Sequence, residues 1–552
     1  MPSVFEYRIH PAIGVARLGN SDDWFDGPDV VQEDWVPPEK PAASGHRYRD
    51  AVGNLRRQAA LFRVYEFEFP NAAEVAKKEG KPVHVREITM NDAKIAWKVK
   101  LANRKALDSG GVVSPIIAPD VTLDTKGAAL ADIIGPFTPA GVSVLLGQVS
   151  TDSVGRLRVL AGKGKSHGIA EPTPPADLPD PSTLANLMKY PGWYDDIADG
   201  PITATVDFTG FAPPPGVAGP QKAASAWVVT AAPDFAHAVE CVVSLYDLAY
   251  AIAVGPAFRM PHPTTPSFVK DIYPFLHKAQ MAHWTSALLQ VFYGTPPTPG
   301  TTSTHHFEEP SFGDAAFRAP GAARFNLLKS ANKAPSSPEL AARRTVHGKL
   351  RNPFPGGSGG TMPRLALDAS SPANELAVHR FHYKQLKKWA EGDFLADWPP
   401  PSPPKTLADL KPEQQPGALD EAHMRSMIGG AFYPGIEVCE NVRYWSNWSG
   451  PFRIKDTLPA GTLTETLAVP WQGDFEDCAN QPPEWWPSAR PLKILPGSAT
   501  TYSGFVDWAP FSDPMLMKMV KRWNELGFLR RQDVPGVGTL YVQREPDVPP
   551  SP

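Results

Sequence analysis

The sequence predicts an α+β protein, β-rich and carried on long proline- and glycine-rich loops. An N-terminal β domain, a middle helical region and a C-terminal cofactor-bearing region follow in order. Three observations predict this. Apolar and polar residues alternate with period two in short runs through about residue 250, the mark of half-buried strands. After about residue 265 the spacing becomes helical. Proline is abundant, 63 of 552 residues alongside 44 glycines, yet 42% hydrophobic and 10% aromatic content argues against disorder and for ordered loops. We draw the regions at 1–250, 251–397 and 398–552.

The first strand is predicted where Phe5, Tyr7 and Ile9 alternate with Glu6, Arg8 and His10. A second follows where Tyr65, Phe67 and Phe69 alternate with Glu66 and Glu68, and further runs are VSVLLGQV and ITATVDF. Proline-rich patches at 171–182 and 212–220 read as surface loops. In SFVKDIYPFLHKAQMAHW, residues Phe268, Ile272, Phe275 and Ala279 share one helical face, although Pro274 should kink any single helix. A second helix is predicted in ANELAVHRFHYKQLKKWA, with Leu386 and Trp389 three apart, and WPPPSPPK (398–405) begins a linker or wrapping arm. In the last helix Asp513 suits the N-cap and Pro514 the first turn. Leu516, Met519, Val520 and Trp523 then form one apolar face, and Gly527 stands where a left-handed C-cap would be.

Composition narrows the function. A net charge of -4 without long basic runs argues against a nucleic-acid partner. No stretch approaches the roughly 18 apolar residues of a membrane span. The start MPSVFEYRIHP lacks the pattern of a secretory signal, so we expect a cytoplasmic protein or one exported without a recognisable signal. Three well-separated cysteines, Cys241, Cys439 and Cys478, exclude a disulfide framework and argue against a zinc cluster.

Among motifs, GKGKSH (162–167) fails as a phosphate loop because Val159 stands where its first glycine belongs. The pairs His379/His382 and His305/His306 have no evident third metal ligand, so core or surface histidines are expected. The informative stretch is WQGDFEDCANQPPEWWPSAR, 471–490, where a lone Cys478 follows spaced carboxylates among tryptophans. Asp474 and Cys478 share a face if the segment is helical, and a carboxylate buried beside a redox centre is a natural proton acceptor. From local chemistry alone a surface acidic turn is the plainer reading. An inward Trp523 is by itself ordinary core.

These strings resemble the L-lysine ε-oxidase and glycine oxidase family, whose members use cysteine tryptophylquinone. HPAIGVARLGNS, RRQAALFRVYEF, WYDDIADGPITATV, PSFVKDIYPFL, GGAFYPGIEV, PWQGDFEDC with EWWPSARP, and WNELGF carry the resemblance along nearly the whole chain. It implies that Cys478 is the cross-linking cysteine and Asp474 the catalytic base and maturation residue. Trp523 is our choice of quinone tryptophan, with Trp508, Trp485 and Trp486 as the nearby alternatives. Tyr194 would line the substrate pocket, and His423 and Met427 another wall. The implied reaction joins a primary amine or amino acid to the quinone as a Schiff base, removes the α-proton, and releases ammonia and hydrogen peroxide, with molecular oxygen as the oxidant. A flavoprotein maturation partner is implied too, and a homo-oligomer is expected. The chain is compact for the family, which implies shortened insertions. Competing readings are a non-catalytic scaffold of the same fold and a glycan-active hydrolase built on the acid pair Asp474 and Asp477.

Overall fold

A computed structural model describes residues 3–32, 35–39, 46–76, 81–169, 189–286, 323–354, 360, 362, 378–429, 436–475, 489–502, 504–509 and 516–546. The chain forms two compact units, each assembled from separated stretches of sequence. The first takes 1–233, 252–261 and 404–474, and the second takes 234–251, 262–403 and 475–552. The architecture is strand-rich with added helices, as expected. The proline tract at 398–405 falls where the chain leaves the second unit and re-enters the first.

A fifteen-stranded mixed sheet dominates the first unit. Its main path runs Ala131–Phe137, Val142–Thr151, Leu157–Ala161, Arg57–Phe69, Ile13–Arg17, Ala226–Ala231, Asp199–Asp207, Lys94–Val99 and Val121–Leu123. Most neighbours are antiparallel, but Ala226–Ala231 pairs parallel with Ile13–Arg17, a connection that needs a long crossover between the two strands. The thirteen-residue strand Arg57–Phe69 is the hub, pairing with Val4–His10, His84–Ile88 and Leu157–Ala161 along its length. Both faces of the inner strands are covered. Trp97 and Trp227 are fully enclosed, and each indole N–H is satisfied, by the Gly155 carbonyl at 2.9 Å and by Asp199 Oδ1 at 2.9 Å.

That coverage explains where alternation misled. Val4–His10 is a strand, with Tyr7 and Ile9 buried as expected, but His10 is buried as well. Its Nδ1 lies 2.9 Å from Asp420 and its Nε2 2.9 Å from the Arg453 guanidinium. Glu66 also turns inward, accepting from the Tyr7 hydroxyl at 2.8 Å and from Arg86 at 2.7 Å. Polar positions on a strand stay exposed only where nothing packs on that face.

In the second unit the helices Pro338–Gly348 and Arg380–Ala390 pack around Trp389, whose indole donates to the Leu328 carbonyl at 2.9 Å. Buried Arg343 donates to the carbonyls of Trp389 at 3.0 Å, Asn332 at 2.7 Å and Ser330. At Pro274 the helix changes type without a break: the π-helical turn Phe268–Ile272 runs directly into the α-helix Tyr273–Met281, and Pro274, with no N–H to donate, sits just past the junction. The last helix runs Leu516–Arg522 and tightens into a 3-10 turn, Trp523–Glu525. Asp513 and Pro514 lie outside the described residues. Gly527 is not a left-handed cap: the chain turns extended at Leu526 (φ -67°, ψ 143°). Its missing side chain serves close approach instead, since a Cβ there would collide with the Pro546 carbonyl and the Gln543 side chain.

Candidate active site

In the first unit the short strand Trp193–Asp195, the turn after it and the start of the strand Asp199–Asp207 carry the three acids of WYDDIADG, and Asp195, Asp196 and Asp199 are all buried. Each needs partners. Asp195 has four: Asn103 Nδ2 at 2.9 Å, the Ile197 N–H at 3.1 Å, the Trp471 N–H at 2.8 Å, and Lys105 Nζ at 2.6 Å. Asp199 accepts from Trp227 Nε1, from the Gly461 N–H at 3.2 Å, and from the Thr464 N–H and hydroxyl at 2.9 and 2.7 Å. Both therefore reach across more than 260 positions to hold the segment 461–471. Lys105, fully buried, adds a third tie by donating to the Ala468 carbonyl at 2.7 Å.

The held segment ends in a helical turn, with Gly473 N–H donating to the Pro470 carbonyl at 2.9 Å and Asp474 N–H to that of Trp471 at 3.3 Å. Asp474 is thereby fixed at 3% exposure. A second clasp fixes Gln472, whose Oε1 accepts from the Ser166 hydroxyl at 2.6 Å and whose Nε2 donates to the Gly164 carbonyl at 3.4 Å. These belong to GKGKSH, which runs on into a strand, Ser166–Gly168, and not into the helix of a phosphate loop.

Burial sets the electrostatics. It pushes the Asp195 carboxyl up and the Lys105 ammonium down, while their mutual attraction opposes both shifts. Lys105 also feels Asp196 and Asp474. Burial raises Asp199 to about 6 against its hydrogen bonds. It raises Asp196 to about 7, helped by Asp195.

Tyr194 is half-buried between these acids and the surface. Its ring lies 4.9 Å from Phe137 and 6.1 Å, stacked, from His167, its partner across the two-stranded ladder. Tyr194 and Asp474 thus flank one hydrogen bond, Asp195 to Trp471, at one and three residues from its ends. His423 is tied elsewhere. On helix Gln415–Arg425 its Nδ1 accepts from the Val15 N–H at 3.2 Å, and burial lowers it to about 4, so the ring is neutral. Met427 is buried just beyond that helix. Cys478, Trp485 and Trp486 lie outside the described residues, as does Asp477.

Trp523 belongs to the second unit, buried at 5% exposure at the start of its 3-10 turn. That unit also holds an aromatic cluster around Phe475. Phe475 packs against Phe235 at 5.9 Å and Trp508 at 6.1 Å, under the Arg490 guanidinium at 4.5 Å. Trp508 donates its indole N–H to the Gly527 carbonyl at 2.8 Å. Sequence reasoning missed Lys105, Asp195, Asp196 and Asp199. The available signal was three acids packed into eight otherwise uncharged residues, too few to stand as a solvated face.

Comparison with known proteins agrees with this architecture. The L-lysine epsilon oxidase N-terminal family model matches residues 10–111 and 116–230, and the L-lysine epsilon oxidase C-terminal domain model matches 357–495. An L-lysine 6-oxidase from Marinomonas mediterranea is 23% identical over 581 residues, covering 86% of this chain and 71% of the relative. The crystal structure of the L-Lys epsilon-oxidase from that organism superposes with a TM-score of 0.65 at 19% identity, over 98% of this chain and 94% of the other. A crystal structure of the Schiff base intermediate of that enzyme with L-Lys gives the same TM-score and identity, over 98% and 95%. Fold and family domains together define an oxidoreductase of the amino-acid oxidase class. Within that class, the chain belongs to the L-lysine epsilon-oxidase family.

Proposed function

We propose that this protein oxidatively deaminates an amino acid or other primary amine. The carbon bearing nitrogen loses two electrons and becomes a carbonyl whose oxygen comes from water. Ammonia leaves, and molecular oxygen takes the electrons to become hydrogen peroxide. We further propose that the redox group is a cysteine tryptophylquinone made from Cys478 and Trp523, which supplies an electrophilic carbonyl for the amine and a ring that accepts two electrons. The observation that carries the reading is Asp474, a buried carboxylate held by a braced turn four residues before the family's cysteine position.

The described residues fit such a group. A reactive quinone needs shielding from water and a fixed base. Trp523 and Asp474 are both buried, as is Trp508, the alternative nearby indole. Asp474 takes the proton from the substrate carbon, so it must be ionised when substrate arrives. The Lys105 ammonium favours that state electrostatically. Tyr194, half-buried with Phe137 and His167 behind it, offers an aromatic wall to the substrate. The relative's structure with L-Lys supports an amino acid as the substrate class.

Peptide mass spectrometry on protein co-expressed with a family flavoprotein tests the cofactor. A single cross-linked, doubly oxygenated species containing Cys478 and Trp523 is expected, with peroxide release across an amine panel naming the substrate. Cys478 joined to another tryptophan removes the Trp523 assignment. A free thiol and no peroxide from any amine leaves only the scaffold reading.

A further inference from the structure

The buried charges of the first unit do not balance around Asp474. Lys105 and Asp195 touch at 2.6 Å with both fully buried, and this pair is net neutral whichever member carries the shared proton. Asp196, the next residue, has no such partner among the described residues. It is 2% exposed, and its Oδ2 accepts from the Lys165 N–H at 3.0 Å while packing so closely on Gly162 that a Cβ there would collide with it. Its Oδ1 has no hydrogen-bond partner among the described residues.

The charged groups that bear on it are Asp195, Lys105 and Arg57. Lys105 is already bonded to Asp195 and Ala468. The Arg57 guanidinium donates to Gln148 Oε1 at 2.6 Å and to the carbonyls of Ala161 at 3.3 Å and Asp22 at 3.4 Å. Lys105 and Arg57 attract a charge on Asp196, but neither hydrogen-bonds to it among the described residues, and a carboxylate with one bare oxygen, buried beside another acid, is costly. Its loop also matters. The 162–166 segment that Asp196 grips at Lys165 is the one that clasps Gln472 through Ser166 and Gly164, two residues before Asp474.

We propose that Asp196 is a positioning acid for Asp474: a neutral carboxyl that fixes the 162–166 clasp and keeps a second negative charge away from the base. Two carboxyls whose surroundings drive them apart divide the acid and base roles between them. Burial and Asp195 place the proton's loss near pH 7. Above that, a second buried charge competes with Asp474 for the attraction of Lys105. The positioning role rests on the reading of Asp474 as base, whereas the neutral carboxyl does not.

The test uses the full-length protein, as wild type and as Asp196→Asn, which mimics the neutral acid. The infrared difference between them at pH 6 is expected to show the carbonyl stretch of a protonated carboxylic acid, fading with a midpoint near pH 7. The unfolding temperature of wild type is expected to fall relative to Asp196→Asn as pH rises from about 4 to about 7. In amine-driven peroxide release, wild type is expected to lose activity several-fold between pH 6 and 9, and the Asn profile to lack that limb. A wild type without the band at pH 6, or parallel stability profiles, overturns the proposal. If Asp196→Asn fails to fold, Asp196→Ser serves as the reference in the same infrared difference, which singles out Asp196 from the other raised acids Asp195 and Asp199. Band and stability difference present without peroxide from any amine would sink the oxidase reading and leave the neutral acid standing.

Discussion

Asp474 owes its candidacy to where its neighbours are tied. Lys105, Asp195, Ser166 and Gly164 hold residues 468–472, so the carboxylate two residues on inherits a fixed position without occupying a regular element of any length. Asp474→Asn keeps the size and removes the base. We expect it to lower amine-dependent peroxide release by roughly 10²–10⁴-fold, the usual worth of a positioned base, with an unfolding temperature close to wild type. An unchanged rate would move the base elsewhere. His423 makes a prediction of opposite sign to that of Asp196. Its pKa falls from 6.5 unfolded to about 4 folded, so the stability it lends is present above 6.5 and is lost as pH falls through 4. The loss should be on the order of 3 kcal/mol. Denaturant titrations of wild type and His423→Gln between pH 7 and 4 should converge as the wild type weakens. Parallel curves would mean that His423 is solvated after all.

Elements carry the site by where they stop. The strand Trp193–Asp195 ends on an acid that captures a backbone N–H 276 positions away. The last helix tightens into a 3-10 turn at Trp523, and the chain then runs extended through Gly527 against the Pro546 carbonyl. At Gly527 any side chain displaces backbone. Gly527→Ala is expected to cost about 1–3 kcal/mol by overpacking, read by chemical denaturation. A cost near zero would show that the hairpin Phe528–Val534/Gly538–Arg544 can shift aside. Arg343 offers a comparable case in the helical part. Arg343→Met strips the buried Trp389 carbonyl and two part-buried ones of a charged donor, and a loss of roughly 1–3 kcal/mol is expected by the same measurement, since a buried acceptor left unpaired bears the desolvation penalty.

At the scale of the whole molecule, two units share one chain that crosses between them several times, the last time between Asp474 and Phe475. Residues 478 and 523 both fall in the second unit, and Asp474 closes the first. Expressed alone, the chain is expected to fold cooperatively with the mass of its unmodified sequence. Co-expressed with a family flavoprotein, it should gain two oxygens and lose the two hydrogens of the quinone carbons as well as the two displaced by the thioether. A mature mass without the flavoprotein would remove that partner. No helix among the described residues is long and apolar enough to cross a membrane.

Part of this is legible in the order of the amino acids alone. Alternation at Tyr7/Ile9 and Tyr65/Phe67/Phe69 located strands, and helical spacing located the burial of Met519 and Trp523, because periodicity is a property of near neighbours. The ordered strings located the family. What periodicity could not give was which polar side chains go inside. His10 and Glu66 sat on faces that alternation assigned to solvent. The acids of WYDDIADG carried no sign that Lys105, Thr464 and Trp471 would meet them. Gly527 looked like a cap when it is a point of close approach. A charge is buried only when a partner arrives, and the partners here come from hundreds of residues away through the pairing order of one large sheet. The sequence by itself therefore determined the class, the strand content and the family. The tertiary structure decided where the buried charge lies, and so which acids can hold or give up a proton.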